Sequence, residues 1–559
     1  MHKFAYQFVR DIKTLFVQIG QEFIKLLLSI RRIGPSHLQL WFIAAALGSV
    51  VGFVSFYFIF AMQATTRFLY RADSDNLLYW VHAIPWWWIV LIPTIGGLIT
   101  GLILSNFTPD GRARSISHVI EAAALKNGRV NEKHGLASAF ANFVSLAMGA
   151  SAGQEGPLVH LGSIISSRLS TWLHADGMTA RDFLACAAAA SIGASFNAPI
   201  AGIIFAHEII LRHYSLSSTT PITIASIMGT IAGHLLSGGN FAQVQFFQLS
   251  VTSYSELPAF LLLGVISGIV ASILVRSIFI AEDTGDRLES HFSIPMWARP
   301  TIAGLLLGLL AINFPHIIGV GYQSMVEALR GNIPFGEILV LVTIKVIATS
   351  ITLGGRMGGG VFSPALMIGA MTGLAFGFVA TTGTEIGTVQ LYALAGMAAV
   401  SAAVLGAPLS TSLIVFEMTR DWNAALAVLA AVSVACGLAT RLMDKSFFLS
   451  QLERRGLHIA AGPQAYLLAT FKVTSHLQPL KLIAKRVAQY QEMGAFVYAN
   501  ESFEEAFPKY EQLDVISLLV LSVPKENDQK PEVIGQLDYL DVLRVYSHAL
   551  ADTSAEEHD

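Results

Sequence analysis

Charged residues are scarce in this chain of 559 residues. Asp, Glu, Lys and Arg make up 13% of it, whereas a soluble domain carries about 25%. Hydrophobic residues amount to 53%, which excludes an ordinary soluble domain and predicts an integral membrane protein. The net charge of -3 gives no indication of a nucleic-acid partner, and we expect none.

Cysteine is also nearly absent, and catalytic motifs are missing. The two cysteines, Cys186 and Cys436, lie in apolar segments, so the sequence predicts neither a disulfide framework nor a metal site. The stretch "GGRMGGG" (354–360) has the glycines of a phosphate loop but no Gly-Lys-Ser/Thr after them. We therefore expect no enzyme activity and no cofactor.

We expect no cleavable signal peptide in the first residues. Residues 1–34 mix basic with large apolar residues and are predicted to form an amphipathic helix on the cytoplasmic membrane surface. Further basic residues follow the last apolar run, which places the C-terminal end on the same side by the positive-inside rule: Arg441, Lys445, Arg454 and Arg455. A multi-pass protein with both termini cytoplasmic is predicted.

Long apolar runs alternate with shorter ones that are broken by Gly and Pro. Runs near the spanning length of about 20 residues occur at 38–62, 86–105, 216–237, 256–280, 298–314, 336–353 and 388–416. The broken pieces lie at 135–152, 157–170, 183–194, 198–211 and 362–380. Non-helical backbone persists at membrane depth only where protein or a polar path satisfies it, so the breaks predict a transport path.

The chain also contains an internal duplication. "GQEGPLVHLG" (153–162) and "GVFSPALMIG" (360–369) share Gly, Pro and Gly at matching places, and "NAPIAGIIFAHE" (197–208) and "GAPLSTSLIVFE" (406–417) share Ala-Pro and a final Glu. Pro157 precedes Pro199 by 42 residues, and Pro364 precedes Pro408 by 44. Such repeats are often inverted in the membrane. The predicted fold is all-α, with two inverted repeats of broken and tilted helices over about 35–240 and 255–455.

Each repeated motif places Gly and Pro where a helix begins. Helix starts expose backbone amides and carry positive potential, so anions bind there. The cargo is therefore predicted to be a small anion. The alternative is that Gly and Pro merely allow helices to pack closely.

Four motifs together resemble the CLC family of chloride channels and proton/chloride exchangers over residues 35–455: "GQEGP" (153–157), "FNAPIAGIIF" (196–205), "GVGYQ" (319–323) and "GGVFSP" (359–364). The resemblance implies a homodimer in the lipid bilayer, with an anion path in each subunit and with chloride and protons as partners. Glu155 matches the gating glutamate: ionised it blocks the anion site, and protonated it swings away. A structural role for Glu155, capping a buried helix end, is the alternative. The anion-binding positions that the resemblance implies are Gly153, Gln154, Gly156, Val361 and Phe362.

The sequence departs from the family pattern around the inner anion site. Arg114 stands at the serine of the first motif, with Ser115 beside it, and Phe448 stands at the inner-gate tyrosine. Arg114 either concentrates anions or extends to cytoplasmic water. Gln154 replaces a common arginine, which removes a positive charge from the outer mouth. Without the two hydroxyls, the site would rely on amides, Arg114 or Ser115.

The proton route departs as well. Ile209 stands where exchangers carry an internal proton-transfer glutamate, and an aliphatic side chain cannot relay protons. His207 or Glu208 could supply another route, although a histidine on an apolar helix is more often structural. The substitution favours passive chloride conduction; proton-coupled chloride exchange and fluoride/proton antiport are the alternatives.

The last hundred residues have a soluble composition. Alternating strand and helix patterns over 465–550 predict a small α/β cytoplasmic domain, which loosely resembles a single cystathionine-beta-synthase (CBS) module. Such modules often bind the ribose of a nucleotide with a Ser or Thr that stands three residues before an Asp. In this chain Asp538 takes the place of that Ser or Thr before Asp541, so nucleotide binding is not expected. Residues 551–559 are predicted to be disordered.

Overall fold

The computed structural model describes residues 37–71, 84–238, 256–382, 388–419, 422–457, 471, 473–480, 484–499, 501, 503–522 and 531–558. Residues 1–34, predicted as an amphipathic helix, lie outside this part of the chain. The chain divides into two compact units, one of Met1–Leu211 with Thr220–Gln451, the other of Arg212–Thr219 with Leu452–Asp559.

Helices form nearly all of the described part of the first unit, as the sequence predicts. They are α1 His37–Leu69, α2 Trp86–Phe107, α3 Ile116–Leu125, α4 Glu132–Ala147, α5 Glu155–Trp172, α6 Gly177–Phe196, α7 Pro199–Phe205, α8 Leu216–Leu236, α9 Leu257–Phe292, α10 Ala298–Asn313, α11 Tyr322–Arg330, α12 Phe335–Gly354, α13 Phe362–Ala380, α14 Val389–Leu405, α15 Pro408–Thr419, α16 Trp422–Met443 and α17 Phe447–Glu453. Within the described residues, seven helices are long and apolar enough to cross a membrane. The protein is therefore a multi-pass integral membrane protein.

The helix boundaries correct three of the predicted spans. The run 388–416 is two helices, α14 and α15, because Gly406 adopts a left-handed φ of 70° and Pro408 begins the next helix. The run 298–314 gives α10, whose 16 residues fall short of a full span. The segment 362–380, predicted as a broken piece, is an unbroken helix of 19 residues. Composition identified these segments as apolar, but the turn geometry decides where each helix ends.

Glycines bring several membrane helices into close contact. A Cβ on Gly369 of α13 would lie 2.5 Å from the carbonyl oxygen of Gly396 in α14, and a Cβ on Gly396 would meet Gly373 at 2.6 Å. Apolar lipid does not drive helices together, so close backbone approach through small residues is the usual means of association. This contact fixes α13, whose first residues belong to the candidate site.

The two repeats are related by inversion at their helix starts. Gln154 before α5 has φ -88° and ψ -16°, and Val361 before α13 has φ -90° and ψ -16°. The preceding glycines pair as an isolated antiparallel bridge, with Gly153 and Gly360 each donating an N–H to the other's carbonyl at 2.7 Å. Equal conformation with opposite chain direction is what an inverted duplication requires.

The second unit contains the predicted small α/β domain. It has the helices α18 Ala484–Glu492, α19 Phe503–Leu513 and α20 Tyr539–His558, and the strands β1 Phe496–Tyr498, β2 Ser517–Leu521 and β3 Val533–Asp538. The sheet order is β1-β2-β3, with β1 and β2 parallel and β2 and β3 antiparallel. Its apolar core includes Leu518, Val520 and Leu537, all fully buried.

Two predictions about this domain can be compared with the structure. Helix α20 runs to His558 and so includes most of the segment 551–559, for which disorder stays a prediction. Asp538 accepts hydrogen bonds from Ser517 at 2.6 Å and Gln536 at 3.0 Å, and Asp541 accepts from Gln478 and Arg544. Both carboxylates therefore accept hydrogen bonds from side chains of the same domain.

Candidate functional site

Three helix starts meet at the centre of the membrane unit. The bridge between Gly153 and Gly360 joins the beginnings of α5 and α13. A Cβ on Gly156 would lie 3.5 Å from the Cα of Gly360 and 3.6 Å from the Cβ of Ser115, which precedes α3. The first turns of α3, α5 and α13 are thus adjacent. Each exposes backbone amides that have no partner within the helix.

Glu155, the first residue of α5, is fully buried at this junction. Its Oε1 accepts hydrogen bonds from the hydroxyl of Tyr322, at 2.9 Å, and from Ser363 Oγ. The Oε2 lies beside Gly153, where a Cβ would be 2.5 Å from it. The carboxylate therefore sits at the start of α13, in a position that favours an anion.

The other residues predicted around Glu155 are brought together there. Gln154 and Val361 precede α5 and α13 and are fully buried. Phe362 is the first residue of α13, and its ring meets that of Phe196 edge-on with centroids 5.3 Å apart. An aromatic ring at this position restricts solvent access to the adjacent amides.

Arg114 and Ser115 lie in the loop before α3. The Arg114 guanidinium contacts Asp110 at 3.0 and 3.1 Å and lies 2.6 Å from the Nε2 of His118. A paired guanidinium contributes much less field than a free one. Ser115 donates its N–H to His118 Nδ1 at 3.2 Å, and its side chain faces Gly156.

Buried polar contacts hold the loops that carry the site. Asn142 of α4 is fully buried: its Oδ1 accepts from the N–H of Gly359 at 2.7 Å, and its Nδ2 donates to the carbonyl of Arg114 at 3.2 Å. One amide side chain thus connects the loop before α3 with the loop before α13. Losing this pair of hydrogen bonds is costly at membrane depth.

Ion pairs fix the same two loops to α9. Arg112 contacts Glu282 at 2.5 Å, and Arg356 contacts Asp286 at 3.0 Å and Glu289 at 3.2 Å. Arg112 precedes α3 and Arg356 precedes α13, so one helix face positions both loops. This network was not found from the sequence, because its members are spread over more than 240 residues.

The candidate proton-route residues lie together on one turn. His207, Glu208 and Ile209 belong to a π-helical turn, Ala206–Leu211, that continues α7. His207 and Ile209 are buried. The carboxylate of Glu208 accepts from the N–H groups of Leu409 and Ser410, at 3.0 and 2.9 Å, at the start of α15.

The second repeat makes the same contact in reverse. Glu417 of α15 accepts from the N–H groups of Ile200 and Ala201, at 3.0 and 2.7 Å, at the start of α7. The final acid of each repeated motif therefore caps the short helix of the other motif. The shared final Glu of the two repeated motifs was the sequence signal for this pair.

Phe448, the residue at the predicted inner gate, lies on a helix of its own. It is buried in the first turn of α17, with its ring centroid 5.7 Å from that of Phe447. The described contacts therefore give Phe448 a packing partner on its own helix.

Two residues that hold Glu155 were missed in the sequence. Tyr322 lies in "GVGYQ" and Ser363 in "GGVFSP", and both motifs had been noted without a role for these side chains. A hydroxyl next to a Gly-rich helix start was the available signal. It did not reveal that these hydroxyls meet Glu155.

The chain is similar to known proteins over most of its length. The model of the voltage gated chloride channel family matches residues 96–440. A ClcB-like chloride channel protein of Ralstonia nicotianae is 30% identical over 403 residues, covering 70% of this chain and 91% of that protein. The H(+)/Cl(-) exchange transporter ClcA of Vibrio campbellii is 28% identical over 459 residues, covering 80% and 96%. The crystal structure of a slow cyanobacterial Cl-/H+ antiporter has the same fold, with a TM-score of 0.66 at 23% identity, over 75% of this chain and 98% of that one.

Proposed function

Because this chain belongs to the family of voltage-gated chloride channels, the CLC family, we propose that it transports chloride across the membrane and that Glu155 is its gate. The observation that carries the proposal is the burial of the Glu155 carboxylate at the start of α13, bonded to Ser363 and Tyr322. The acid occupies a place that backbone amides and hydroxyl donors make suitable for an anion. Chloride and the ionised carboxylate compete for it.

Protonation opens the proposed gate. The ionised Oε1 accepts from two hydroxyl donors, and both bonds are strengthened by its charge. Protonation removes the charge, so the side chain leaves and the donors become available to chloride. The amides at Gly156, Val361 and Phe362, with the Ser115 hydroxyl, complete the proposed anion path. Chloride flux should therefore rise as the pH falls.

The leading form of the proposal is passive conduction. Ile209, at the position of the exchangers' internal proton-transfer acid, is buried and aliphatic. Glu208 beside it is engaged with two backbone amides of α15. Neither side chain is disposed to pass a proton toward Glu155.

Proton-coupled chloride exchange is the second candidate. Its support is a pair of buried imidazoles, His118 and His160, whose ring centroids lie 6.5 Å apart near the start of α3. Neutral imidazoles can pass protons through water. One of the similar proteins is named an exchange transporter, so this form stays open. Fluoride/proton antiport is a third form that rests on the departures at Arg114 and Phe448.

The assembly and orientation follow from the family resemblance as proposals. We propose a homodimer in which each subunit has its own path, with both termini on the cytoplasmic side. The proposed dimer leaves Glu155 and its donors within one chain, since every contact described above is made inside a single subunit. The α/β domain would then act on the cytoplasmic side.

The decisive experiment measures chloride flux from proteoliposomes while the external pH is recorded. Chloride flux without uphill proton movement supports passive conduction. Proton movement driven uphill by a chloride gradient supports exchange. Replacing chloride by fluoride separates the third form. Absence of anion flux from correctly folded protein would contradict the proposal itself.

A further inference from the structure

Lys345 is a fully buried basic residue in the middle of the membrane helix α12. Its Nζ donates to the carbonyl oxygens of Ile317, at 3.3 Å, and Gly319, at 3.2 Å. The described partners of the ammonium are therefore backbone carbonyls rather than a carboxylate. A lysine inside the bilayer costs about 2.5–3.5 kcal/mol on insertion scales, and such residues are functional by default.

The turn that Lys345 holds has little regular structure of its own. Gly319 and Gly321 adopt left-handed φ values of 68° and 88°, which glycine accepts without strain. Carbonyls in such a turn need partners at membrane depth. A Cβ on Gly321 would lie 3.2 Å from Lys345 Nζ and 2.5 Å from the Sδ of Met367, so the turn rests directly on the ammonium.

Two contacts link this turn to Glu155 and to the loop that precedes it. The N–H of Gly319 donates to the carbonyl of Gly149 at 3.4 Å, in the loop that leads into α5. After Gly321 the chain enters α11 at Tyr322, whose hydroxyl bonds to Glu155 at 2.9 Å. Lys345 is thus connected to Glu155 through one short turn and one tyrosine.

We propose that Lys345 is a positioning residue, whose ammonium holds the turn of residues 317–321 so that Tyr322 presents its hydroxyl to the closed gate. The inference rests on the proposed gating role of Glu155. Without the ammonium, two carbonyls lose their donor and the turn relaxes. Tyr322 then no longer stabilises Glu155 in the anion site.

A second effect of the same charge must be separated from this one. A buried cation near the path also attracts anions, and its loss would lower chloride flux whether the gate is open or closed. Loss of positioning does the opposite, because it raises flux where the gate is normally closed. The two effects differ in sign at neutral pH.

The experiment measures chloride flux from proteoliposomes at neutral and at acidic pH for Lys345→Met, Tyr322→Phe and the double variant. Loss of one hydrogen bond to the ionised carboxylate should raise flux at neutral pH by about tenfold in each single variant. The double variant should leak no more than either single one. The leak should be confined to neutral pH: at acidic pH, where the gate is protonated, none of the three variants should exceed the flux of the wild type.

Two further variants serve as controls. Lys345→Arg keeps the charge and the donors, and should restore gating. Thr349→Val removes a buried hydroxyl one turn further along α12 and should behave like the wild type. If Lys345→Met does not yield folded protein, Lys345→Gln removes the charge and keeps a donor, and an intermediate leak is expected.

Three results would overturn the inference: lower flux in Lys345→Met at both pH values, leaks that multiply in the double variant, or wild-type gating in both Lys345→Met and Lys345→Gln. Failure of the gate itself is distinguishable. In that case Tyr322→Phe would also leave the pH dependence unchanged, and wild-type flux would show no rise on acidification.

Discussion

Replacement of Glu155 by glutamine tests the gate most directly. Glutamine keeps the shape of the side chain and removes its charge. Oε1 accepts two hydrogen bonds, from Tyr322 and Ser363. A bond to a charged group is worth about 1 kcal/mol more than the same bond to a neutral one, so the two together favour the closed position of the carboxylate by about 2 kcal/mol. That corresponds to about a 30-fold change in the closed-to-open ratio.

Glu155→Gln is therefore expected to raise chloride flux at neutral pH to the level that the wild type reaches in acid. The dependence of flux on pH should disappear, because the group that titrates is gone. The assay is chloride efflux from proteoliposomes over a series of pH values. Glu327→Gln is a matched control: it removes an acid that pairs with Arg330 on α11, the helix that carries Tyr322, and should leave the profile unchanged.

The reasoning would be refuted if Glu155→Gln retained the flux and the pH profile of the wild type. Glu155 would then be a buried structural acid that caps α13. A variant that folded poorly would point the same way, since a cap contributes to stability whereas a gate contributes to closure. Thermal unfolding in detergent, measured alongside flux, distinguishes these outcomes.

Two further predictions concern stability. Glu208→Gln and Glu417→Gln should each lower the thermal stability of the membrane unit to a similar extent, by about 1–2 kcal/mol, because each acid accepts from two amides at a helix start; unequal losses in detergent melting curves would argue against equivalent caps. Burial raises the pKa of Tyr510, whose hydroxyl donates to the carbonyl of Leu537 at 2.8 Å. As the pH rises, the unfolded chain loses the Tyr510 proton before the folded domain does, so the folded domain becomes less stable above about pH 10. Protease resistance of residues 484–558 in the full chain should therefore fall above that pH. Tyr510→Phe should abolish this alkaline loss.

The sequence was sufficient to predict the architecture of the membrane unit. Matching Gly, Pro and Glu positions revealed the duplication, and the structure shows equal backbone angles at Gln154 and Val361. Glu155 stands out as a carboxylate between glycines in an apolar chain, and the resemblance to the CLC family then implied its gating role. These features are local or periodic, so they can be read from residue types and spacing.

Side-chain contacts between distant segments could not be predicted. Tyr322 is 167 residues from Glu155 along the chain, and Lys345 acts through the turn between them. Nor did composition show that Arg114 is paired with Asp110, since pairing depends on the conformation of the loop before α3. Composition alone made 388–416 one apolar run, although the repeated motif at 406–417 placed a helix start at Pro408, where the structure has it.

The two helix starts explain how one duplicated motif could carry the proposed gate on only one of its copies. Alignment of "GQEGP" with "GVFSP" places Glu155 opposite Phe362 and Gly156 opposite Ser363. The backbone is equivalent at both starts, so both offer amides to an anion. The first copy adds an acid and the second adds the hydroxyl that receives it. Because Gly156 has no side chain, the first turn of α5 carries no hydroxyl at the position where α13 carries Ser363. A symmetric pair of acids at two adjacent helix starts would repel each other, and a symmetric pair of serines would supply no gate, so the proposed gating depends on the divergence of these two positions.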